Sequence, residues 1–165
     1  METKNIFKLK KLLAMLCQNK PYELNITKLS QKIELNRVTL YNYLDYLEKG
    51  SLIKTVLPLS RGDKIFTKPE KLYLHNTNLI YNYCNSNDIG TIREQSFVNQ
   101  ISFQHSINYA KDGDFLVDEK YIFEIGGKNK SFKQIKDIDN SFVVADDIEI
   151  GFGAKIPLWL FGFLY

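Results

Sequence analysis

The stretch NITKLSQKIELNRVTLYNYLDYLEKGSLIKTV, residues 25–56, limits the possible folds more than any other part of the chain. Asn25 or Thr27 can cap a short helix that runs to about Glu34, and a tight turn at Leu35-Asn36 leads into a second helix. Along that second helix Leu40, Leu44 and Leu47 step by four and three, and Gly50 supplies a left-handed stop. LIKTVLPL then reads as a strand, SRGDK as a turn, and KLYLHN as a second extended piece. Two helices joined by a tight turn and followed directly by a hairpin have the order of a winged helix-turn-helix.

Upstream, Ile6, Leu9, Leu12, Leu13 and Leu16 fall at helical steps, and the helix they predict ends near Asn19-Lys20-Pro21. Lysines interrupt its apolar residues, so it reads as an amphipathic helix and not as a secretory signal. Downstream, TNLIYNYC predicts a short helix, NSNDIG a loop and TIREQSFVNQIS a longer helix. Strands follow around SINYA, DFLVD and YIFEI, then a helical SFKQIKD and a strand SFVVADD. This is an α+β chain: a winged helix-turn-helix over 1–74, and a small mixed α/β domain over 75–165. The terminal IPLWLFGFLY is about half the ~20 residues of a membrane span, which makes it core or interface. Trp159, Phe161 and Phe163 within it are too many large apolar groups to leave in water.

A chain of 165 residues with 44% hydrophobic content can fill one ordinary core or two small ones. Its 22 Lys and Arg against 19 Asp and Glu give a net charge of +3, so a nucleic-acid role must rest on local patches. Cys17 and Cys84 are far apart with no CxxC or Cys/His spacing, which predicts two reduced thiols in a cytoplasmic protein and no structural zinc.

In a helix-turn-helix the second helix meets the major groove, and its outward positions here are Asn36, Arg37, Thr39, Asn42 and Tyr43. Arg37 suits guanine or phosphate, Asn42 suits adenine, and the wing carries Arg61 and Lys64. Against duplex DNA stand Asp45 and Glu48 on the same helix, and the fact that winged helices also join proteins. In the second half, Asp114 and Glu124 flank an apolar hairpin and can hold a hard divalent cation such as Mg2+, with Glu94 as a third oxygen ligand from across the sheet. Solvated acids at strand ends give the same spacing. GGKNKS is not a phosphate loop, because Ile122 and Asn129 stand where Gly and Ser or Thr are required. His75 and His105 have no partner at metal-ligand spacing.

NRVTLYNYLDYLEKGSLI, KPEKLYLHNTNLIY, GTIREQSFVNQI, GDFLVDEKYIFEIGGKNK, FVVADDIEIG and KIPLWLFGFLY, in this order, resemble the carboxy-terminal region of a family of prokaryotic AAA-type ATPases. There, a winged helix and a domain similar to restriction-endonuclease-like, PD-(D/E)xK folds follow the ATPase. This chain contains no Walker A loop, so it is a fragment, a truncated relative or a free-standing tail. The resemblance implies that Glu94 is the helix glutamate of such a site, Asp114 its strand aspartate and Glu124 the glutamate of its ExK motif. Gly126 stands where the lysine belongs, and Gly126-Gly127 can fold Lys128 back as a substitute. The expectation is a DNA-associated module with a weakened or inactive nuclease-like site. One alternative is a module that docks an ATPase domain or partner protein, and another is an active metal-dependent nuclease.

Overall fold

A computed structural model describes residues 3–18, 25–59, 68–84 and 88–164. The chain is a mixed α+β protein that divides into two compact units, 1–87 and 88–165.

In the first unit, α1 (Thr3–Gln18) buries Leu12 completely and Leu9, Leu13 and Leu16 in part. Next come α2 (Ile26–Ile33) and α3 (Arg37–Lys49). Asn25 caps α2 by accepting from the Lys28 N–H at 3.1 Å, and Ile26, Leu29, Ser30 and Ile33 form its buried stripe. Glu34 closes that helix in the left-handed region at φ 56°. Asn36 then caps α3, accepting from the Thr39 N–H at 2.8 Å.

Three expectations for this region need correction. Gly50 has φ −80° and is not the left-handed stop; Ser51, at φ 54°, takes that conformation one residue later. Tyr43 is buried, because it belongs to the stripe Leu40, Tyr43, Leu44, Leu47, which steps by three, one and three. The two compact units divide between Asn87 and Asp88. Strand β1 (Ile53–Pro58) pairs antiparallel with β2 (Lys71–Leu74), with Ile53 opposite Leu74, and α4 (Thr77–Tyr83) then packs back on β2 and α1. A disulfide between Cys17 and Cys84 fastens the end of α4 to α1, which replaces the two reduced thiols read from the sequence. The turn SRGDK, with Arg61 and Lys64, lies outside the described residues.

The second unit begins with α5 (Ile89–Ile101), capped by Asp88, which accepts from the Thr91 N–H at 2.9 Å and from the Thr91 hydroxyl at 2.7 Å. Ile89 and Gly90 are therefore helical, where the sequence suggested a loop. Strands β3 (Ile107–Tyr109), β4 (Phe115–Val117), β5 (Tyr121–Gly126), β6 (Ser141–Ala145) and β7 (Lys155–Pro157) are neighbours in that order. The pairings β3–β4 and β4–β5 are antiparallel, while β5–β6 and β6–β7 are parallel. The predicted helix SFKQIKD shortens to a 3-10 turn, Phe132–Gln134, in the crossover between β5 and β6.

Alternation along the strands gives this sheet two different faces. On one, Phe97 of α5 meets Phe115 and Phe123, with ring centroids 5.6 and 5.1 Å away. Phe161, from a 3-10 helix at Leu158–Phe163, completes that cluster at 4.9 Å from Phe97. On the other face, Ile122, Val143 and Ala145 pack with Ile135, Ile138 and Ile148 of the connecting segments. The terminal aromatic run is thus split: Phe161 is 7% exposed, whereas Trp159 and Phe163 are 53% and 66% exposed and touch edge to face.

Candidate functional site: a lysine-compensated carboxylate pair

Phe115 and Phe123 are register partners on the face toward α5. Just before β4, Asp114 donates its N–H to the Phe123 carbonyl at 2.9 Å, which sets it beside the stretch of β5 that holds Glu124. Alternation turns Glu124 away from the face that Phe123 presents to α5. Gly113, at φ 104°, delivers the chain into this position; a Cβ there would approach the Ile122 Cγ2 to 2.8 Å. The Asp114 carboxylate accepts from the Ile125 N–H at 2.8 Å, taking up a backbone donor beyond the end of β4. Glu124 is almost completely buried, with a side chain 2% exposed.

The lysine that reaches Glu124 is Lys130 and not Lys128. Its ammonium forms an ion pair with Glu124 Oε1 and donates to Gln134 Oε1 at 3.3 Å. Its aliphatic stem lies directly over Gly126, where a Cβ would meet the Lys130 Cδ at 2.6 Å and Cγ at 2.7 Å. The stem therefore runs through the space that a side chain at position 126 would fill. A turn closed by the Lys130 N–H on the Gly127 carbonyl, at 2.9 Å, carries Lys130 back to the strand. Lys155 of β7 holds that turn from outside, donating to the carbonyls of Lys128 at 2.6 Å and Lys130 at 3.1 Å. Lys128 is exposed within this turn.

The second glycine makes room for a different cation. Arg93 of α5 lies over Gly127, where a Cβ would sit 3.1 Å from one guanidinium nitrogen. It pairs with Asp146 at 2.9 Å and Asp147 at 3.1 Å, just beyond the end of β6. Neighbouring Glu94 is half-buried on α5, the helix that covers the sheet face opposite Glu124. Among the described residues, no group of three or more His, Cys, Asp or Glu side chains is arranged to hold a metal ion. Sequence reasoning missed the parts played by Lys130, Gln134, Arg93, Asp146 and Lys155. The only local signal was the extra lysine of GGKNK, since spacing cannot say which lysine a turn returns to its strand.

On α3, Asn36, Arg37 and Asn42 are exposed, Thr39 is half-buried and Tyr43 is core. Arg37 also donates to the Thr27 hydroxyl at 2.9 Å, bracing α3 against α2. The two acids expected to repel phosphate both have partners. Glu48 accepts from the Thr55 N–H at 3.0 Å and hydroxyl at 2.6 Å, and Asp45 pairs with Lys49 at 2.7 Å. Hydrogen bonding and charge attraction from Asp45 raise the Lys49 ammonium pKa above its ordinary value. Charge is divided unequally along the chain: 1–87 holds 14 basic and 7 acidic residues, and 88–165 holds 8 and 12.

Among the described residues, no helix is long and apolar enough to cross a membrane. No curated protein and no solved structure matches the chain. The family model for a domain of unknown function, DUF8612, matches residues 1–88, more than half of the sequence, and the protein belongs to that family.

Proposed function

We propose that this is a cytoplasmic, DNA-associated module, related to the carboxy-terminal part of AAA-type ATPases, in which a winged helix contacts duplex DNA. Its second unit is a restriction-endonuclease-like domain with a reshaped active site. The carrying observation is the charge division: the first 87 residues have a net charge of +7 and the rest −4, hidden within a total of +3. Asn36, Arg37 and Asn42 stand exposed on α3, and the internal partners of Asp45 and Glu48 reduce the repulsion of a phosphate backbone.

For the second unit, the reading is supported by the Asp114 carboxylate accepting from the N–H of Ile125, the residue next to Glu124 on β5. The set does not fit a tight metal centre. Lys130 already supplies the positive charge that buried Glu124 needs, and an Asp114 oxygen is engaged by the Ile125 N–H. Mg2+ binding is therefore weak and cleavage slow or absent. A docking module for a protein partner is the second reading, favoured by Val38 and Tyr46, which are exposed on α3 beside the polar groups.

Titration of a labelled duplex with the full chain at several salt concentrations tests the first reading. Affinity should fall steeply with salt, and Arg37→Ala with Asn42→Ala should weaken binding by about 1–3 kcal/mol per lost contact. No binding at low salt would leave the docking module. Robust plasmid nicking with Mg2+ or Mn2+, abolished by Glu124→Gln and by Lys130→Ala, would show that the site is active.

A further inference from the structure

We propose that the Cys17–Cys84 disulfide is a redox latch that holds α1 against the helix-turn-helix and thereby sets how α3 is presented. The latch itself stands on the geometry of the first unit; its effect on DNA rests on the duplex-binding reading above. The bond joins residues 67 positions apart, with their Cα atoms at 5.0 Å, and so connects the first described helix of the unit to the end of α4. Without it, α1 is held lightly. Among its described side chains only Leu12 is fully buried, and Ile6 and Phe7 are exposed.

The latch lies one contact away from the reading helix. Lys8 of α1 donates to the Glu34 carbonyl at 2.9 Å, and Glu34 is the left-handed residue that turns the chain from α2 toward Asn36, the cap of α3. Loosening α1 removes that support from the turn. Both cysteines are half-buried, which leaves the bond accessible to a small thiol. In a reducing cytoplasm a disulfide is transient, and its state reports the local thiol balance.

The reductant is a dithiol. One of its thiolates attacks a sulfur of the pair, breaking the S–S bond, and the released cysteine thiolate takes a proton. The second dithiol sulfur then closes on the mixed disulfide. Cys17 and Cys84 end as thiols, two electrons having come from the dithiol, which becomes a cyclic disulfide.

The full chain, purified without reductant, is compared before and after dithiothreitol by alkylation mass, by amide hydrogen exchange of α1 and by duplex affinity. Neither cysteine should alkylate before reduction and both should afterwards, with exchange in α1 rising at least about tenfold. Duplex affinity should fall about fivefold, and Cys17→Ser with Cys84→Ser should match the reduced chain whether or not reductant is present. Alkylation of both cysteines before reduction, or α1 exchange indifferent to reduction, overturns the latch. A looser α1 with unchanged duplex affinity overturns its coupling to α3. If no duplex binds in either state while α1 still responds, the latch stands and the DNA reading falls.

Discussion

The two units solve the same problem, burial of a small core, by different means. In the first, α2 and α3 each carry their own apolar stripe and their own cap, so Asn25 and Asn36 mark the starts of the two helices within the local text. In the second, the core is a cluster of rings from α5, β4, β5 and the final 3-10 helix, and the acidic site is completed across a glycine turn. Local chemistry organises the one and distant partners organise the other. A basic half that reads easily and an acidic half that does not are thus joined in one chain.

The sharpest way to break this contrast is Phe97→Ala, which removes the ring shared by Phe115, Phe123 and Phe161. It should destabilise the second unit by about 3–5 kcal/mol and leave the melting of the first unaffected, seen as a shift of one transition in calorimetry. A common shift of both would show that the units do not unfold separately.

Lys130→Ala should come next, at about 2–4 kcal/mol, because it leaves the Glu124 carboxylate buried without its ion-pair partner. Lys130 is 29% exposed, and solvent lowers the effect below that of a fully enclosed pair. Lys128→Ala should change stability by less than about 0.5 kcal/mol. Denaturant titration of the two variants compares the lysine that spacing suggested with the one that the turn returns; equal losses would remove the assignment.

Asn36→Ala tests the local logic of the first unit. Loss of the bond to the Thr39 N–H should lower that unit's stability by about 1 kcal/mol, measured by its unfolding midpoint, with no change in the second.

The smallest expected effect is one of pH. Hydrogen bonds from His105 and from the Ser106 backbone, in that order, hold the exposed Asp118 carboxyl below its ordinary value of 3.8. A depressed carboxyl contributes stability above its unfolded pKa, and that contribution is lost as pH falls through the lower folded value. Asp118→Asn should therefore flatten the acid limb of the second unit's stability profile slightly and leave the neutral region unchanged in slope. An acid limb identical to that of the wild type would mean that these hydrogen bonds contribute nothing.

Legibility followed the same division. The first three helices of the first unit and its strand pair could be read from caps and periodicity, and so could most strands of the second. Tyr43 was misplaced because the stripe was counted on leucines alone, although an aromatic ring at the same helical step buries equally well. The seven residues of α4 carry little to say that the helix returns to α1. Neither the meeting of Cys17 with Cys84 nor the choice of Lys130 over Lys128 has a local signature, since each depends on how a turn or a helix brings distant residues together. The hairpin of β4 and β5 was legible from its alternating apolar residues.

Phe161 has a consequence for the order in which the protein takes shape during synthesis. Everything the first unit needs, including Cys84, has been translated by Asn87, so it can close while the ribosome is still working. The aromatic cluster of the second unit lacks one wall until Phe161 arrives. At roughly 5–20 residues per second, the stretch from Asp88 to Phe161 takes about 4–15 s to make. For that interval Phe97, Phe115 and Phe123 depend on an incomplete enclosure, and their rings stay open to water and to other chains.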